Sequence, residues 1–231
     1  MGERAGVLLT RPLPAARRFL AALEAAHGAP LPVILSPVLE IRPVEVVLTE
    51  RPAAVLLTSQ NGAGRAGDRG LQGLPAWCVG AQTAAAARAQ GLEPLEAGPD
   101  AEALLGRLLE ARPPGLLLHL RGEHARGDIA ARLRAAGLRA EEAVAYRQEP
   151  RPPTPEARSA LDGPGPLVVP LFSPRSAALV VAWHPRAALR VVAMSPAVAD
   201  AAAPLRPERL LVADAPSGSA MIEATLRALA S

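Results

Sequence analysis

The chain has no lysine: all 25 of its basic residues are arginines, in a sequence that is also rich in alanine, proline and glycine. This composition is typical of GC-rich coding sequence. The absence of lysine excludes the phosphate-binding loop GxxxxGK[ST]. The net charge is only +3, and no basic block with interleaved aromatic residues is present, so we expect no nucleic-acid partner.

Cysteine is nearly absent as well. Cys78 is the only one, which excludes an intramolecular disulfide and a cluster of thiolate metal ligands. Because it stands within an apolar run, it is predicted to be a buried small hydrophobe rather than a nucleophile. His119 and His124 do not have the i, i+4 spacing that places two metal ligands on one face of a helix. We therefore predict no metal site.

Long apolar runs are also missing. No segment approaches the roughly 18 uninterrupted apolar residues of a membrane-spanning helix. The opening MGERAGVLLTRPLP lacks the basic and long apolar regions of a signal peptide. Aromatic residues make up only 2% of a chain that is 50% hydrophobic, so its core has to be built from Leu, Val and Ala. We expect a cytoplasmic protein with no membrane partner.

The sequence does contain a series of short apolar runs, each ending in small or polar residues. Such runs are typical of strands that are buried on both faces. They are GVLLTRP (6–12), AVLLTSQNG (54–62), AWCVGAQT (76–83), LLLHLRGE (116–123), LVVPLFSPRS (167–176), RVVAMSPA (190–197) and RLLVADAPSG (209–218). Three of the segments between them end at Gly28, Gly91 and Gly137, as helices commonly do. The alternation predicts an α/β protein with parallel sheets.

Two stretches break this alternation. PVILSPVLEIRPVEVV (32–47) and AEEAVAYRQEPRPPTPEA (140–157) contain strand-like pieces without the expected helix, and their prolines limit regular pairing. We interpret them as two crossings between domains, with linker strands near 35–42 and 142–149. The prediction is a discontinuous α/β domain of residues 1–37 plus 148–231, with residues 38–147 forming a second α/β domain.

Ligands of parallel α/β sheets bind beyond the carboxyl ends of the strands. The residues predicted at those ends carry hydroxyl, amide and guanidinium groups, next to the N-termini of helices. These groups bind anions, whereas no pair of carboxylates stands there for acid–base catalysis. The predicted strand-end residues are Thr10, Arg11, Thr58, Ser59, Asn61, Thr83, Arg121, Ser173, Arg175 and Ser195.

A nucleotide-binding function is an alternative, because GAGRAG (62–67) satisfies the string GxGxxG after a predicted strand. A dinucleotide fingerprint, however, follows the first strand and has an acidic residue about 20 residues further on. Here the first strand is followed by TRPLPAAR, which has no glycine, and the acidic residue is missing. A nucleotide-binding protein would show a thermal shift with nucleotides.

The order and spacing of the motifs resemble those of the uroporphyrinogen-III synthase family over nearly the whole chain. The motifs are LLTRP, LLTSQNGA, CVGAQTAAAARAQGL, LHLRGEHARGDIAARLRAAG, AVAYRQEP, PLFSPRSAALV and VVAMSPAVADA. The resemblance implies two parallel-sheet α/β domains, the first of them discontinuous. It also implies that a two-stranded linker ladder joins these domains and that they are separated by an interdomain cleft. This organisation agrees with the domain boundaries predicted from strands and prolines.

The resemblance also implies a reaction. Hydroxymethylbilane, a linear tetrapyrrole, loses its terminal hydroxyl, ring D attacks through its substituted carbon, and the macrocycle closes with ring D inverted. The product is uroporphyrinogen III, in tetrapyrrole (heme, siroheme and cobalamin) biosynthesis. No metal or organic cofactor is required, because the enzyme mainly folds the substrate and directs the attack. The only expected partner is this small-molecule substrate, and we expect a monomer.

Site residues are implied where this sequence matches the family's motifs. Tyr146, the only tyrosine, is implied as a catalytic residue that helps the hydroxyl leave, with a packing role between domains as the alternative. Arg121 would pair with a substrate carboxylate or stabilise its own loop. Asn61 would touch the substrate or cap a turn. The residues implied in substrate binding are Arg11, Thr58, Ser59, Asn61, Thr83, Arg121, Gly122, Ser173 and Ser195.

One motif departs from the family pattern. Where the family commonly has Ile-Gly-x-Thr-Thr-Ala, this chain has AMSPAVADA, so Ser195, Ala197 and Val198 replace a glycine and two threonines. Two hydroxyl donors are lost, although the backbone N–H groups of the following helix are kept. A divergent, non-catalytic homologue that binds a tetrapyrrole or another polyanion is therefore the alternative function.

Overall fold

A computed structural model of the chain describes residues 6–124 and 127–230. Within them the chain divides into two compact units, unit 1 with residues 6–40 and 149–230 and unit 2 with residues 41–124 and 127–148. The sequence predicts these boundaries at 37/38 and 147/148. Each unit contains one sheet with helices packed on both of its faces.

The sheet of unit 1 has five strands, and its order is β11-β10-β9-β1-β2. All of its strand pairs are parallel. The elements of this unit are β1 (Gly6–Leu9), α1 (Leu13–His27), β2 (Val33–Leu35), α6 (Pro155–Asp162), β9 (Leu167–Leu171), α7 (Pro174–Val181), β10 (Leu189–Ala193), α8 (Pro196–Ala202), a 3-10 turn (Ala203–Leu205), β11 (Arg209–Val212) and α9 (Gly218–Leu229).

The sheet of unit 2 has six strands in the order β3-β8-β7-β4-β5-β6, and the pairs from β8 to β6 are parallel. Its elements are β3 (Leu39–Pro43), β4 (Ala54–Leu57), α2 (Gln60–Asp68), β5 (Pro75–Cys78), α3 (Gly80–Ala89), β6 (Glu93–Glu96), α4 (Ala101–Ala111), β7 (Leu117–Gly122), α5 (Ile129–Ala135) and β8 (Ala140–Pro150).

The strands are continuous apolar runs because alternate residues face opposite layers of the core. In β1, Leu8 packs into one buried cluster while Val7 and Leu9 pack into the other. In β4 the two faces are divided in the same way, with Leu57 in one cluster and Leu56 in the other. The prediction of an α/β protein with parallel sheets is confirmed.

The chain passes between the units within β3 and β8, which are neighbours in the six-stranded sheet. The N–H of Val44 donates to the carbonyl of Ala145 at 2.9 Å, and the N–H of Arg151 donates to the carbonyl of Val38 at 2.9 Å. Val38, just before β3, thus pairs with Arg151, and Val44, just after β3, pairs with Ala145. The two strands therefore run in opposite directions and form an antiparallel ladder.

Each sheet has one point where the strand order reverses. In unit 1, β1 is followed by β2 on one side and later by β9 on the other. In unit 2, β5 and β6 are added on one side of β4, and β7 and β8 are then added on the other. Because the loops that leave two such strands diverge, ligands bind at the carboxyl ends of this pair. The expected ligand-binding positions are therefore the carboxyl ends of β1 and β9 in unit 1, and of β4 and β7 in unit 2.

Candidate active site

Ser59, at the end of β4, begins helix α2. Its backbone is extended, with φ −157° and ψ 154°, and its hydroxyl oxygen accepts a hydrogen bond from the N–H of Gly62 at 3.1 Å. This is the usual way in which a serine caps a helix N-terminus. A Cβ atom on Gly62 would lie 2.7 Å from the carbonyl oxygen of Leu120, so only glycine lets the start of α2 lie this close to β7.

Tyr146 reaches Ser59 across an intervening strand. It lies in β8, is only 6% exposed, and its hydroxyl is 2.8 Å from the Ser59 hydroxyl. Strand β7 separates β8 from β4, and Gly122 of β7 stands directly opposite Tyr146 in the register, next to an irregularity in the pairing. A Cβ on Gly122 would lie 2.8 Å from two carbon atoms of the tyrosine ring. The missing side chain at Gly122 thus provides the space in which the ring crosses β7.

Thr58, which directly follows β4, forms a second contact with His119 inside β7. The Thr58 hydroxyl is 3.5 Å from Nε2 of His119, which is 2% exposed. Nδ1 of His119 is buried without a hydrogen-bond partner among the described residues. Burial lowers the pKa of His119 to about 4, with the charge of Glu142 opposing this shift and that of Arg121 adding to it. The imidazole is therefore neutral near pH 7.

Arg121 is engaged by its own surroundings. Its guanidinium forms an ion pair with Glu142 at 3.0 Å and donates to the carbonyls of Gly122 and Glu123. The hydrogen bond from Arg121 lowers the pKa of Glu142. These contacts agree with the loop-stabilising alternative for Arg121. Pairing with a substrate carboxylate would have to displace Glu142.

Two other predicted residues of unit 2 lie in the first turns of helices. Asn61 is half-buried in the first turn of α2, and its side chain makes no hydrogen bond with the described residues. The capping role belongs to Ser59 instead, so the Asn61 amide is available to a ligand. Thr83 lies in α3 and is only 6% exposed.

In unit 1, Arg11 follows β1 and lies over the ring of Phe172, which follows β9. The distance from Cζ of Arg11 to the ring centroid is 4.1 Å, which is a cation–π contact. Burial, together with the positive charge of Arg18, lowers the pKa of Arg11. No carboxylate among the described residues forms an ion pair with Arg11. This guanidinium therefore stands at the reversal point of unit 1 without a neutralising carboxylate from residues 6–124 or 127–230.

Ser173 and Ser195 both precede helices of unit 1. The Ser173 hydroxyl accepts from the N–H of Ser176 at 3.1 Å and donates to the Ser176 hydroxyl at 2.9 Å. Ser195 stands at the corresponding position before α8, but its side chain makes no capping hydrogen bond. Of the two residues that replace the family's threonines, Val198 is 2% exposed and belongs to the core.

Other chemistry considered from the sequence has little support in the structure. Cys78 is fully buried, and burial raises the pKa of its thiol to about 11, which leaves it without the thiolate that a nucleophile needs. The GAGRAG segment lies inside α2, so its glycines form helical turns and not a phosphate loop. Among the described residues, no group of three or more His, Cys, Asp or Glu side chains could hold a metal ion. None of the helices in those residues is long and apolar enough to cross a membrane.

The structure therefore brings Ser59, Gly122 and Tyr146 into direct contact at the reversal point of unit 2. Thr58 and Arg121 lie at the ends of the same strands. His119 and Glu142 also belong to this site, and neither was predicted from the sequence to do so. The signal for His119 was a polar residue inside the otherwise apolar run LLLHL, which predicts a buried imidazole.

We expect Gly122→Ala to lower the free energy of unfolding by about 1–3 kcal/mol, because the added methyl group displaces the Tyr146 ring. The matched control is Gly106→Ala in α4, where an added Cβ meets open space. Because alanine loses less backbone entropy than glycine when a helix folds, that variant should be about 0.5–1 kcal/mol more stable than the wild type. Urea unfolding measures both changes, and a Gly122→Ala protein as stable as the wild type would contradict the packing described.

The buried imidazole predicts a pH-dependent stability. Because the folded-state pKa of His119 is about 4 and its ordinary value is 6.5, the unfolded chain binds the proton first as pH falls. Stability should therefore fall by about 2 kcal/mol between pH 7.5 and pH 5. In His119→Gln this decrease should disappear, whereas the exposed control His27→Gln should keep it. Urea unfolding at the two pH values is the measurement, and an unchanged slope in His119→Gln would refute the assignment.

Comparison with known proteins agrees with this geometry. The sequence model of the family described as uroporphyrinogen-III synthase HemD matches residues 18–223. No curated protein sequence matches the chain. The crystal structure of uroporphyrinogen-III synthetase from Helicobacter pylori is similar, with a TM-score of 0.68 and 14% identity over 96% of this chain and 99% of that chain. A mutant uroporphyrinogen III synthase from Thermus thermophilus has a TM-score of 0.51 and 19% identity over 98% of this chain and 99% of that chain.

At these identities the two solved structures show a shared fold, and the family assignment rests on the sequence model. That model extends over most of the chain, from within α1 to within α9, and includes the ends of β4, β7 and β9 but not that of β1. The chain belongs to the uroporphyrinogen-III synthase family.

Proposed function

We propose that the chain is a cyclising lyase that converts hydroxymethylbilane to uroporphyrinogen III, with loss of water and inversion of ring D. It acts without a cofactor, as a cytoplasmic monomer of tetrapyrrole biosynthesis. Its membership of the family supports this reaction. In each unit, the donors at the reversal point also suit a substrate that carries several carboxylates.

The observation that carries the proposal is the placement of the Tyr146 hydroxyl. It is the only phenol of the chain, it is held at the reversal point of unit 2, and it is hydrogen-bonded to Ser59 at 2.8 Å. No carboxylate in the described part of the chain shares this contact, so the phenol is the group available to protonate a leaving hydroxyl.

The first step breaks the carbon–oxygen bond at the end of the bilane. Tyr146 gives its proton to the departing hydroxyl, which leaves as water with the bonding electron pair, and the pyrrole becomes an azafulvenium. The substituted carbon of ring D then attacks this cation, and the new carbon–carbon bond gives a spiro intermediate. The older bond from the same carbon to the bridge carbon of ring C breaks, with its electron pair staying on ring D. That bridge carbon then bonds to the unsubstituted α-carbon of ring D, which inverts the ring. The proton that is lost when the macrocycle regains aromatic pyrroles returns to the phenolate of Tyr146. Protons and electrons balance without a further reactant.

Two unpaired donors are the best candidates for holding the substrate's carboxylates. Arg11 of unit 1 makes no ion pair with the described residues, and its stacking on Phe172 fixes the direction of its guanidinium. Asn61 of unit 2 offers an unengaged amide beside the N-terminus of α2. Neutralising a substrate carboxylate with Arg11 requires no internal ion pair to be broken.

The remaining predicted contacts are proposed with smaller roles. Ser195 has a hydroxyl that its own helix does not use. The hydroxyl of Thr58, by contrast, is shared with His119, and that of Ser173 with Ser176. Arg121 and Gly122 shape the loop and the space around Tyr146, and Thr83 lies close to the start of α3.

The test is to incubate the protein with freshly generated hydroxymethylbilane and to separate the product isomers. Without an enzyme the bilane closes to the uninverted type I isomer, so we expect type III product in an amount that rises with protein concentration. Type I product alone would contradict the proposal. Bilane binding without turnover would favour the non-catalytic alternative.

Tyr146→Phe should lower kcat about a hundredfold, as expected for loss of a general acid. The fold should persist, because the loss of one hydrogen bond costs only about 0.5–1.5 kcal/mol. The control is Thr225→Val, which removes a buried hydroxyl bonded to the carbonyl of Met221 in α9. We expect that variant to be destabilised without losing turnover. A Tyr146→Phe enzyme with wild-type kcat would leave Tyr146 a packing residue.

A further inference from the structure

The Ser59 hydroxyl is engaged on two sides. Its oxygen accepts the hydrogen bond from the N–H of Gly62, and it lies 2.8 Å from the oxygen of Tyr146. A serine hydroxyl has a single proton to donate. Either Ser59 gives this proton to the phenol oxygen, or Tyr146 gives its own proton to Ser59.

The N–H of Gly62 favours the first arrangement. A hydroxyl that accepts a hydrogen bond becomes a better donor, because hydrogen bonds in a chain polarise one another. The Gly62 N–H also belongs to the positive end of a nine-residue helix. In the resulting chain, Gly62 donates to Ser59 and Ser59 donates to Tyr146, which leaves the phenolic proton free.

Ser173 provides an internal precedent for this geometry. Its backbone, with φ −156° and ψ 152°, is nearly identical to that of Ser59, and it caps its helix with a hydrogen bond of the same 3.1 Å length. While it does so, its hydroxyl donates to a second hydroxyl, that of Ser176, at 2.9 Å. A capping serine in this conformation can therefore donate its proton to a neighbouring hydroxyl group.

We propose that Ser59 is a positioning residue that aims the Tyr146 proton at the leaving hydroxyl, and that it does not bind the substrate. The inference rests on the proposed function and assigns Ser59 a role different from the substrate binding that the family resemblance implies. With the Ser59 proton on the phenol oxygen, the O–H of Tyr146 points away from Ser59. As the phenol releases its proton in the bond-breaking step, the Ser59 hydrogen bond stabilises the phenolate that forms.

The surrounding contacts keep this chain rigid. The close approach of Gly62 to the Leu120 carbonyl fixes the start of α2, and the missing side chain at Gly122 leaves the space that the ring occupies. The phenol cannot swing away from Ser59 without leaving a buried cluster that includes Leu57 and Leu120. Removing the Ser59 hydroxyl should therefore leave the Tyr146 ring in place. The O–H bond of Tyr146 would then no longer be held toward the leaving hydroxyl of the substrate.

The test is a double-mutant cycle in the type III synthase assay. Ser59→Ala should lower kcat about tenfold, the loss expected for one hydrogen bond made in the transition state, while KM stays within about twofold of the wild type. In the Tyr146→Phe background, Ser59→Ala should have no further effect on kcat. Ser59→Thr, which keeps the hydroxyl, should restore kcat to within about threefold of the wild type.

Two further variants separate positioning from folding. Ser59→Gly also lacks the hydroxyl but weakens the helix cap by only a few tenths of a kcal/mol. It should match Ser59→Ala in kcat even if Ser59→Ala folds poorly. Ser217→Ala is the matched control, because Ser217 caps α9 and contacts a second hydroxyl, that of Ser219, at 3.1 Å. It should lose stability and keep its kcat.

Three outcomes would overturn the inference while leaving the proposed function intact. A raised KM with unchanged kcat in Ser59→Ala would make Ser59 a substrate-binding residue. Multiplicative losses in the double variant would mean that Ser59 acts independently of Tyr146. Wild-type kinetics in Ser59→Gly would mean that its hydroxyl has no role. If the wild-type protein made no type III product, the proposed function would fail and this inference with it.

Discussion

The hydrogen bond between Ser59 and Tyr146 joins two strands that are not neighbours in the sheet. Two strand spacings, about 9.5 Å, separate β4 from β8. A tyrosine can bridge that distance only by lying over the strand between them, and Gly122 is the residue that permits this. The site therefore depends on one absent side chain: the position of the phenol, its contact with the cap of α2 and its burial all follow from the glycine in β7.

The two units share one architecture but carry different polar groups at the point where the strand order reverses. Each has a parallel sheet with a reversal in strand order, and each places a capping serine at or beside that point. Unit 2 connects its serine to a phenol, which can give up a proton. Unit 1 instead presents Arg11, held by the ring of Phe172 and lacking an ion-pair partner among the described residues. The polar group beside the reversal point is thus a buried phenol in one unit and a guanidinium stacked on an aromatic ring in the other.

Much of the fold was predictable because buried parallel strands leave continuous apolar runs, as in β1 and β4. β6 was missed, because EPLE is an exposed edge strand with no apolar run. α4 was missed although Asp100 and the spacing of its buried leucines carry a helix signal. In the site, the sequence indicated Ser59 and Tyr146 as separate candidates. Their contact was not predictable, since the 87 residues between them are brought together only by strand order and the pairing irregularity at Gly122. His119 was likewise considered only for metal spacing, because its burial depends on neighbours from other strands.

Because Tyr146 is the only tyrosine, protein labelled with ¹³C at the tyrosine Cζ has a single phenol resonance. Titration with uroporphyrinogen III tests most directly whether this phenol lies where the tetrapyrrole reacts. We predict a saturable shift of the resonance in the wild-type protein, with a midpoint that matches the binding constant from calorimetry. A resonance that stays in place while calorimetry shows the protein to be saturated would contradict the account.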